Sequence, residues 1–477
     1  MMKGDKCCEE RMDAIWRALP RVLTDPDRRP RPRKTGRVSS PPVLAALGSL
    51  QAKVAHHELV HDAEIFNAVS DPEVLTYSLL TILNRRSSLT PGVDRVTRSQ
   101  FHRNGRLVYD AIDKRVSELS HSIRSGNWKP NPVRRISIPS KGKTRNLGIP
   151  TLNDRAVHSA IATVLGILLD PIFAPTSFGF RPNRGTRSAS RWICDWVNSR
   201  PAGVFAATLD IKACFDNVVH VQMVQAVERH IHGDVNNRFV SLIRRILRAP
   251  ISVNGILTKS RLGLVQGGPA SPVLLNTYLN HLDHLIVSNF DQESAVLVRY
   301  ADDLLVLATE PQLVTEVIGV VHRELTKLKL TLKNEKPEIL PATDFEWLGY
   351  NFRHTAGKLD PWIPLKAVDK RVESIMDLIA RIHEQSLDSH LADIAISLYQ
   401  SLRGWSSMYA GLPNYFTCTT MLQDRLEPLL FDRYKSDIRT LALIRAVDRS
   451  LPACVIEYGL LQPGVTSLSV TETTLPP

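Results

Sequence analysis

The stretch Val296-Leu-Val-Arg-Tyr-Ala-Asp-Asp-Leu-Leu-Val-Leu-Ala308 consists of two apolar runs separated by a short turn that carries two acids. Both runs are rich in β-branched and aliphatic residues, which predicts a tight β-hairpin with Asp302 and Asp303 at its tip. Acids held together at a turn repel each other unless a cation lies between them. A lone acid pair is more often solvated than catalytic, so the interpretation depends on its neighbours.

A second acid follows another apolar run. Val204-Phe-Ala-Ala-Thr-Leu209 reads as a strand that ends in Asp210-Ile-Lys-Ala-Cys-Phe-Asp216. A carboxylate at the end of a buried strand is well placed to hold a metal, because the strand fixes its position while the edge of the sheet stays open. Between the two acidic segments lies the glycine-rich loop Gly263–Pro272, whose adjacent glycines allow close approach of a base or sugar. The combination suits two Mg²⁺ ions that activate a 3′-hydroxyl and stabilise pyrophosphate.

Three of these segments resemble the palm motifs of reverse transcriptases, specifically of the group II intron-encoded lineage. They are Tyr300-Ala-Asp-Asp303, Asp210–Asp216 and Gln266-Gly-Gly-Pro-Ala-Ser-Pro272. Further matches run in the family's order over about 90–410: Pro91-Gly-Val-Asp94, Arg145–Arg155, Phe178-Gly-Phe-Arg-Pro-Asn-Arg184, Leu330–Lys336, Phe345-Glu-Trp-Leu-Gly349 and Leu402-Arg-Gly-Trp405.

The resemblance implies an α+β fold of the right-hand polymerase type, with fingers, a palm made of an antiparallel sheet with helices, and a helical thumb. The corresponding domains are a basic N-terminal extension (1–55), N-terminal helices and fingers (56–200), the palm (201–355), a thumb or maturase-like domain (356–450) and a C-terminal tail (451–477).

The resemblance also implies the catalytic residues. Asp210 and Asp302 would be the principal metal ligands for two Mg²⁺ ions, with Asp303 supporting them and the backbone carbonyl of Ile211 joining the coordination. Phe215 would lie beneath the sugar of the incoming nucleotide, where its ring would clash with a 2′-hydroxyl. The alternative is that Phe215 is simply a core side chain.

Further residues are expected to contact substrates. Lys141, Lys143 and Arg145 match the fingers position that grips the incoming triphosphate, which requires fixed positive charge; the alternative is a solvated basic turn. The remaining expected nucleotide-binding residues are Gln266, Gly267 and Lys336. The expected nucleic-acid-binding residues are Arg134, Arg135, Arg181, Arg184 and Tyr300.

Charge supports a polyanionic partner. The 477 residues include 60 Lys and Arg against 48 Asp and Glu, which is a net charge of +12. Residues 101–150 contain eleven of these basic residues against three acidic ones, so the polyanion footprint is expected in the N-terminal half. The basic, proline-rich segment 24–42 is either a solvated linker or a nucleic-acid-binding arm.

The periodicity predicts the remaining elements. Residues 43–123 are expected to be mostly helical with a break at Thr90-Pro91-Gly92, and Pro130–Ile149 is expected to form two strands around a basic turn. Helices are expected over 152–170, 220–248, 368–384, 391–410 and 420–447. No membrane span, secretory signal or structural zinc site is expected, and a bacterial cytoplasmic location is favoured over an organelle.

The sequence therefore predicts an RNA-directed DNA polymerase whose partners are an RNA template, expected to be group II intron RNA, a DNA primer and dNTPs. Intron splicing and retrohoming are compatible further roles. The alternatives are an RNA-binding maturase without polymerase activity, or a free-standing reverse transcriptase recruited to phage defence or DNA repair. The residues after Trp405 include neither paired cysteines nor a His-Asn-His pattern, so an endonuclease-lacking member is expected. The oligomeric state is left open.

Overall fold

A computed structural model describes residues 45–103, 106–140, 143–200, 203–233, 237–383, 401–402 and 404–433. The described residues divide into a larger unit, which ends at 342, and a smaller unit, which begins at 343. The predicted fingers and most of the predicted palm therefore belong to one compact unit. The five predicted domain boundaries stay predictions.

Two helices of the larger unit begin at a residue whose side chain caps the first turn. Asp71 accepts hydrogen bonds from the backbone N–H groups of Glu73 and Val74, and Thr151 accepts one from Asp154. The helices are α1 (Ala45–Ala55), α2 (Asp62–Val69), α3 (Pro72–Leu83), α4 (Tyr109–Arg124), α5 (Leu152–Leu169), α6 (Thr186–Asn198), α7 (Cys214–Asn217), α8 (His220–Glu228), α9 (Arg238–Leu247), α10 (Ser271–Asn289) and α11 (Pro311–Lys327).

Helix α5 lies in the middle of the hydrophobic core and packs against α1, α2 and α3. Among the described residues, Leu152–Ile172 is the one helical stretch long and apolar enough to cross a bilayer, and 61% of its most apolar window is buried inside the protein. Such burial is that of a core helix. Arg155 on α5 donates to the carbonyl oxygens of Ser87, Thr90 and Pro150, which ties the loop before Pro91-Gly-Val-Asp94 to this core.

The central sheet carries the acidic strand ends. Its strand order is β10-β5-β9-β8, and every pair in it is antiparallel. The strands are β5 (Phe205–Asp210), β8 (Ala295–Tyr300), β9 (Asp303–Ala308) and β10 (Leu340–Pro341). The β8–β9 hairpin was expected and is confirmed, although only Ala301 and Asp302 form its turn, because Asp303 already pairs with Tyr300.

A second sheet has the order β4-β3-β6-β7, in which β3 pairs antiparallel with β4 and parallel with β6. The two strands predicted within Pro130–Ile149 are thus confirmed as a hairpin. The remaining strands of the larger unit are β1 (His102–Arg103), β2 (Arg106–Leu107), β3 (Val133–Ser140), β4 (Lys143–Ile149), β6 (Ile251–Val253) and β7 (Ile256–Thr258). The single helix expected over 220–248 is instead two helices, α8 and α9.

The smaller unit combines a three-stranded antiparallel sheet with helices. Its elements are β11 (Asp344–Trp347), β12 (Tyr350–Thr355), β13 (Lys358–Trp362), α12 (Leu365–His383), a helical stretch over 404–409 and α13 (Tyr415–Arg433). Trp405 is buried against Tyr409 and Tyr415. The helices expected over 391–410 and 420–447 extend outside the described residues.

Candidate active site

The three predicted catalytic acids lie together at one end of the central sheet. Asp210, the last residue of β5, is the register partner of Asp303, the first residue of β9. Asp302 lies in the adjoining turn, where its carbonyl oxygen accepts a hydrogen bond from the backbone N–H of Ile211 at 3.3 Å. Ala301 adopts φ 56°, a left-handed conformation that is strained for a residue with a Cβ. The fold thus brings two distant acidic segments to the same end of the sheet, where all three acids are half-buried.

The segment Thr331–Lys333 runs beside the first acid. The N–H of Lys333 donates to the carbonyl oxygen of Asp210 at 2.8 Å, and the N–H of Lys212 donates to Thr331 at 2.8 Å. The Lys333 ammonium then donates to Asp210 Oδ2 at 2.5 Å. Sequence reasoning selected Lys336, which is exposed in the same loop, and missed Lys333. The contact joins residues that are far apart along the chain, and the sequence carried no sign of it.

A buried ion pair joins the β8–β9 hairpin to helix α10. Arg299, in β8, is fully buried and donates from Nε and Nη2 to the Asp283 carboxylate of α10, at 2.8 and 2.5 Å. It also donates to Asn276 Oδ1 at 2.9 Å. This cluster was not predicted, since an arginine in the middle of an apolar strand looks like an ordinary polar residue until its partner on α10 is known.

Burial and charge near the acids affect two titratable side chains. Burial, with the Asp302 and Asp210 carboxylates nearby, raises the pKa of the Cys214 thiol well above its ordinary value. Burial, with the Asp303 carboxylate nearby, raises the pKa of the Tyr300 hydroxyl. Burial is the larger cause of both shifts, and the neighbouring carboxylates act in the same direction.

The glycine-rich loop touches the second sheet. The N–H of Gly148, in β4, donates to the carbonyl oxygen of Gln266 at 2.8 Å. Gly267 adopts φ 107°, and a Cβ there would lie 2.8 Å from the Gly148 carbonyl oxygen. The glycine is therefore required by contact with β4, whereas the sequence attributed such glycines to the approach of a base or sugar. Contact of Gln266 and Gly267 with a nucleotide stays a prediction.

A cleft of about 270 Å³ opens beside this loop. Gln266 Nε2 donates to Asp216 Oδ2 at 3.0 Å, and the Arg135 guanidinium lies 3.6 Å from Asp216 Oδ1. Phe215, next to Asp216, is half-buried and packs against the hydrophobic core. This setting accommodates both a sugar-sensing ring and a core ring, so the discrimination assigned to Phe215 stays a prediction.

The predicted triphosphate grip lies on the hairpin of β3 and β4. Lys143 and Arg145 belong to β4, and nothing is described of their side chains; Lys141 lies outside the described residues. Arg134 and Arg135 are neighbours on β3 and half-buried. The structure therefore brings Arg135 to the cleft, while the grip itself stays a prediction.

Two arginines expected to bind nucleic acid are used by the protein itself. Arg181 is 8% exposed and donates to the Asp170 carboxylate and to the carbonyl oxygens of Ala174 and Ser177. Arg184 donates to the carbonyl oxygen of Pro175 at 2.5 Å. The Arg181 guanidinium is therefore bonded within the fold through all three of its nitrogens, and binding of nucleic acid by Arg181 and Arg184 stays a prediction.

The donor set fits divalent cations with oxygen ligands. No group of three or more acidic, His or Cys side chains within the described ranges forms a metal-binding cluster. Mg²⁺, however, is typically held by one or two carboxylates together with substrate phosphates and water, not by a closed protein cage. Asp210 Oδ2 already binds the Lys333 ammonium, which shows that this carboxylate is accessible to a cation.

Comparison with known proteins gives one family. A model described as reverse transcriptase (RNA-dependent DNA polymerase) matches residues 129–352, which include all three acids. The chain is similar to the group II intron-encoded protein LtrA of Lactococcus lactis subsp. cremoris, with 30% identity over 238 residues that cover 48% of this chain and 36% of LtrA. The chain thus spans about a third of that protein's length.

Two further proteins are similar to the chain at lower sequence identity. Protein YkfC of Escherichia coli (strain K12) is 29% identical over 323 residues, which cover 60% of this chain and 82% of YkfC. Among solved structures, telomerase from Candida albicans in complex with a TWJ fragment of telomeric RNA superimposes with a TM-score of 0.43 at 12% identity, covering 73% of this chain and 66% of the telomerase chain.

Proposed function

We propose that the chain is an RNA-directed DNA polymerase of the group II intron-encoded type, because residues 129–352 match the reverse transcriptase model and the chain is similar to LtrA. Its substrates would be an RNA template, an annealed DNA primer and dNTPs. The pairing of Asp210 with Asp303 across β5 and β9, with Asp302 in the adjoining turn, is the observation that carries the proposal.

The family uses divalent metal ions, and we propose two Mg²⁺ ions held by Asp210, Asp302, Asp303 and the carbonyl of Ile211. When bound, such ions supply Lewis-acid activation of the primer 3′-hydroxyl and neutralise the leaving pyrophosphate.

The protein's own groups have the task of positioning. The β5–β9 register holds the carboxylates at fixed separation, and the buried Arg299 keeps β8, and hence the turn, on α10. The cleft beside Arg135, Asp216 and Gln266 is the proposed seat of the incoming nucleotide. Phosphoryl and nucleotidyl transfer are catalysed mainly by positioning the reacting groups and by stabilising the charge of the transition state, so fixed geometry contributes directly.

Primer extension tests this proposal. Wild-type protein with RNA template, annealed DNA primer, dNTPs and Mg²⁺ should extend the primer. Asp302→Asn should abolish extension while leaving RNA affinity nearly intact, because it removes a metal-binding charge without changing the basic surface. Asp113→Asn, an exposed acid on α4, is the control and should extend normally. Near-normal synthesis by Asp302→Asn would refute the assignment.

Stimulation of intron splicing is a second candidate function, favoured by the similarity to a group II intron-encoded protein. Splicing assistance requires RNA binding and no polymerisation, so Asp302→Asn should keep it. An intron RNA whose self-splicing is unchanged by the wild-type protein would exclude this role for that RNA.

A further inference from the structure

Phe180 is an exposed aromatic residue held in a strained conformation beside the catalytic turn. Its side chain is 54% exposed, and its φ is 57°. L-residues with a Cβ rarely adopt this left-handed region, and such strain persists where the surrounding structure enforces it, often at functional sites.

The surroundings of Phe180 enforce this position. The N–H of Phe178 donates to the carbonyl oxygen of Arg299 at 2.8 Å, which pairs the incoming chain with the end of β8. A Cβ at Gly179 would lie 2.5 Å from the Ala301 nitrogen, so the backbone there rests directly on the catalytic turn. Asn276 Nδ2 fixes the same peptide by donating to the Gly179 carbonyl oxygen at 2.7 Å.

The ring of Phe180 lies beside that of Tyr300, with centroids 6.2 Å apart and planes tilted by 45°. Tyr300 is the last residue of β8 and the register partner of Asp303. Two aromatic rings, one half-buried and one exposed, therefore lie beside the turn that carries the acids. Aromatic faces bind nucleobases and sugars without regard to sequence.

The strand order indicates which nucleic-acid strand meets these rings. Asp216 and the cleft belong to the β5 side of the sheet, whereas Phe180 follows the segment paired with β8, at the other edge. The acids on β5 and β9 lie between the two sides. If the nucleotide enters from the cleft, the strand that carries the reacting 3′-hydroxyl must approach from the side of Phe180.

We propose that Phe180 and Tyr300 form an aromatic platform on which the 3′-terminal nucleotides of the primer strand stack. This assignment rests on the proposed polymerase function and specifies how the primer end is held. The platform explains why an exposed ring is kept in a left-handed conformation. Because the Gly179 peptide is fixed against the turn, Phe180 can place its ring beside Tyr300 only with a positive φ.

Primer binding tests the platform directly. The probe is a fluorescent DNA primer annealed to an RNA template, titrated in EDTA so that no extension occurs. Phe180→Ala and Phe180→Leu should weaken binding about tenfold, in the range measured for loss of base–aromatic stacking, whereas Phe180→Trp should bind as the wild type does. Tyr77→Ala removes a ring that is 48% exposed on α3 and should bind normally.

Steady-state kinetics with Mg²⁺ and saturating dNTP should show that the ring contributes to primer binding and not to the chemical step. Phe180→Ala should raise the primer KM about tenfold while kcat at saturating primer stays near the wild-type value, because the acids are untouched.

A cycle with altered primers locates the contact. Primers that lack the base at the last, second-last or third-last position should each be compared on wild-type protein and on Phe180→Ala. At the position that stacks, removing the base should weaken binding to the wild type but hardly change binding to the variant. Additive losses at all three positions would overturn the platform.

Stability separates this role from a purely structural one. Phe180→Gly removes the ring and the left-handed strain together, so it should unfold at a higher temperature than Phe180→Ala yet bind primer as weakly. If Phe180 had only a structural role, the more stable Phe180→Gly would bind primer more tightly than Phe180→Ala. Wild-type protein that fails to extend any primer would refute the polymerase function, whereas extension with full primer affinity in Phe180→Ala would refute the platform alone.

Discussion

Lys333 shows how a single side chain adjusts the charge of the candidate site. Its ammonium contacts Asp210, and the two side chains are 51% and 39% exposed. At this exposure solvent screens the pair, so the contact is worth about 1 kcal/mol or less. The positive charge of Lys333 matters more than the free energy of the contact, because Asp210, Asp302 and Asp303 carry like charges at one end of the sheet.

Replacing Lys333 by Met should therefore increase repulsion among the acids. In EDTA the variant should unfold about 1–3 °C below the wild type. Addition of Mg²⁺ should then raise the unfolding temperature of the variant more than that of the wild type, because ion binding competes with no tethered ammonium.

Thermal unfolding with and without Mg²⁺ measures both effects. Lys114→Met, an exposed lysine on α4, is the control and should respond to the metal as the wild type does. Equal responses of all three proteins would show that Lys333 has no influence on the acidic site.

At the scale of elements, α10 and β8 are joined by the buried pair of Asp283 and Arg299, which are 2% and 0% exposed. Removing one partner of a buried pair leaves an uncompensated charge. Asp283→Leu should therefore lower the free energy of unfolding by about 3–5 kcal/mol. Denaturant unfolding measures this change.

The pair of Arg200 and Glu293, in which only the acid is exposed, provides a control. Its distance, 2.6 Å, resembles that of the buried pair, but the Glu293 side chain is 87% exposed. Glu293→Leu should cost less than about 1 kcal/mol. The double variant Asp283→Leu, Arg299→Met should recover part of the lost stability, because no lone charge remains buried. A similar cost for the two acidic residues would contradict the supporting role of the buried pair.

At the scale of the whole molecule, the net charge of +12 and the basic segment 101–150 predict strongly salt-dependent binding to nucleic acid. Each phosphate contact contributes a slope of about −0.7 to −0.9 in the logarithm of affinity against that of salt. About four contacts would therefore lower affinity roughly a hundredfold between 50 and 200 mM salt.

Titrations of RNA–DNA hybrid at several salt concentrations measure this slope. Arg134→Gln should make it less steep by about one contact, whereas Lys53→Gln, whose ammonium is paired with Glu64, should leave it unchanged. Affinity that barely responds to salt would show that the basic region is not the binding face.

The sequence by itself determined the local elements and the identity of the acids. Alternating apolar runs with an acidic turn encode the β8–β9 hairpin, because strand periodicity and turn chemistry act between near neighbours. The strand ending at Asp210 is local in the same sense. The motif resemblance then linked these separate segments to one family, and the reverse transcriptase model matches residues 129–352, which include all three acids.

Only the tertiary structure decided which charges pair and which rings remain exposed. Phe180 and Arg181 are neighbours in the chain. The fold nevertheless buries the Arg181 guanidinium and leaves the Phe180 ring exposed beside Tyr300. A sequence states that a side chain is charged or aromatic, but its partner is set by packing between segments far apart in the chain. Lys333 meets Asp210 for that reason alone: two strand-like segments pair, and their register places the ammonium on the carboxylate.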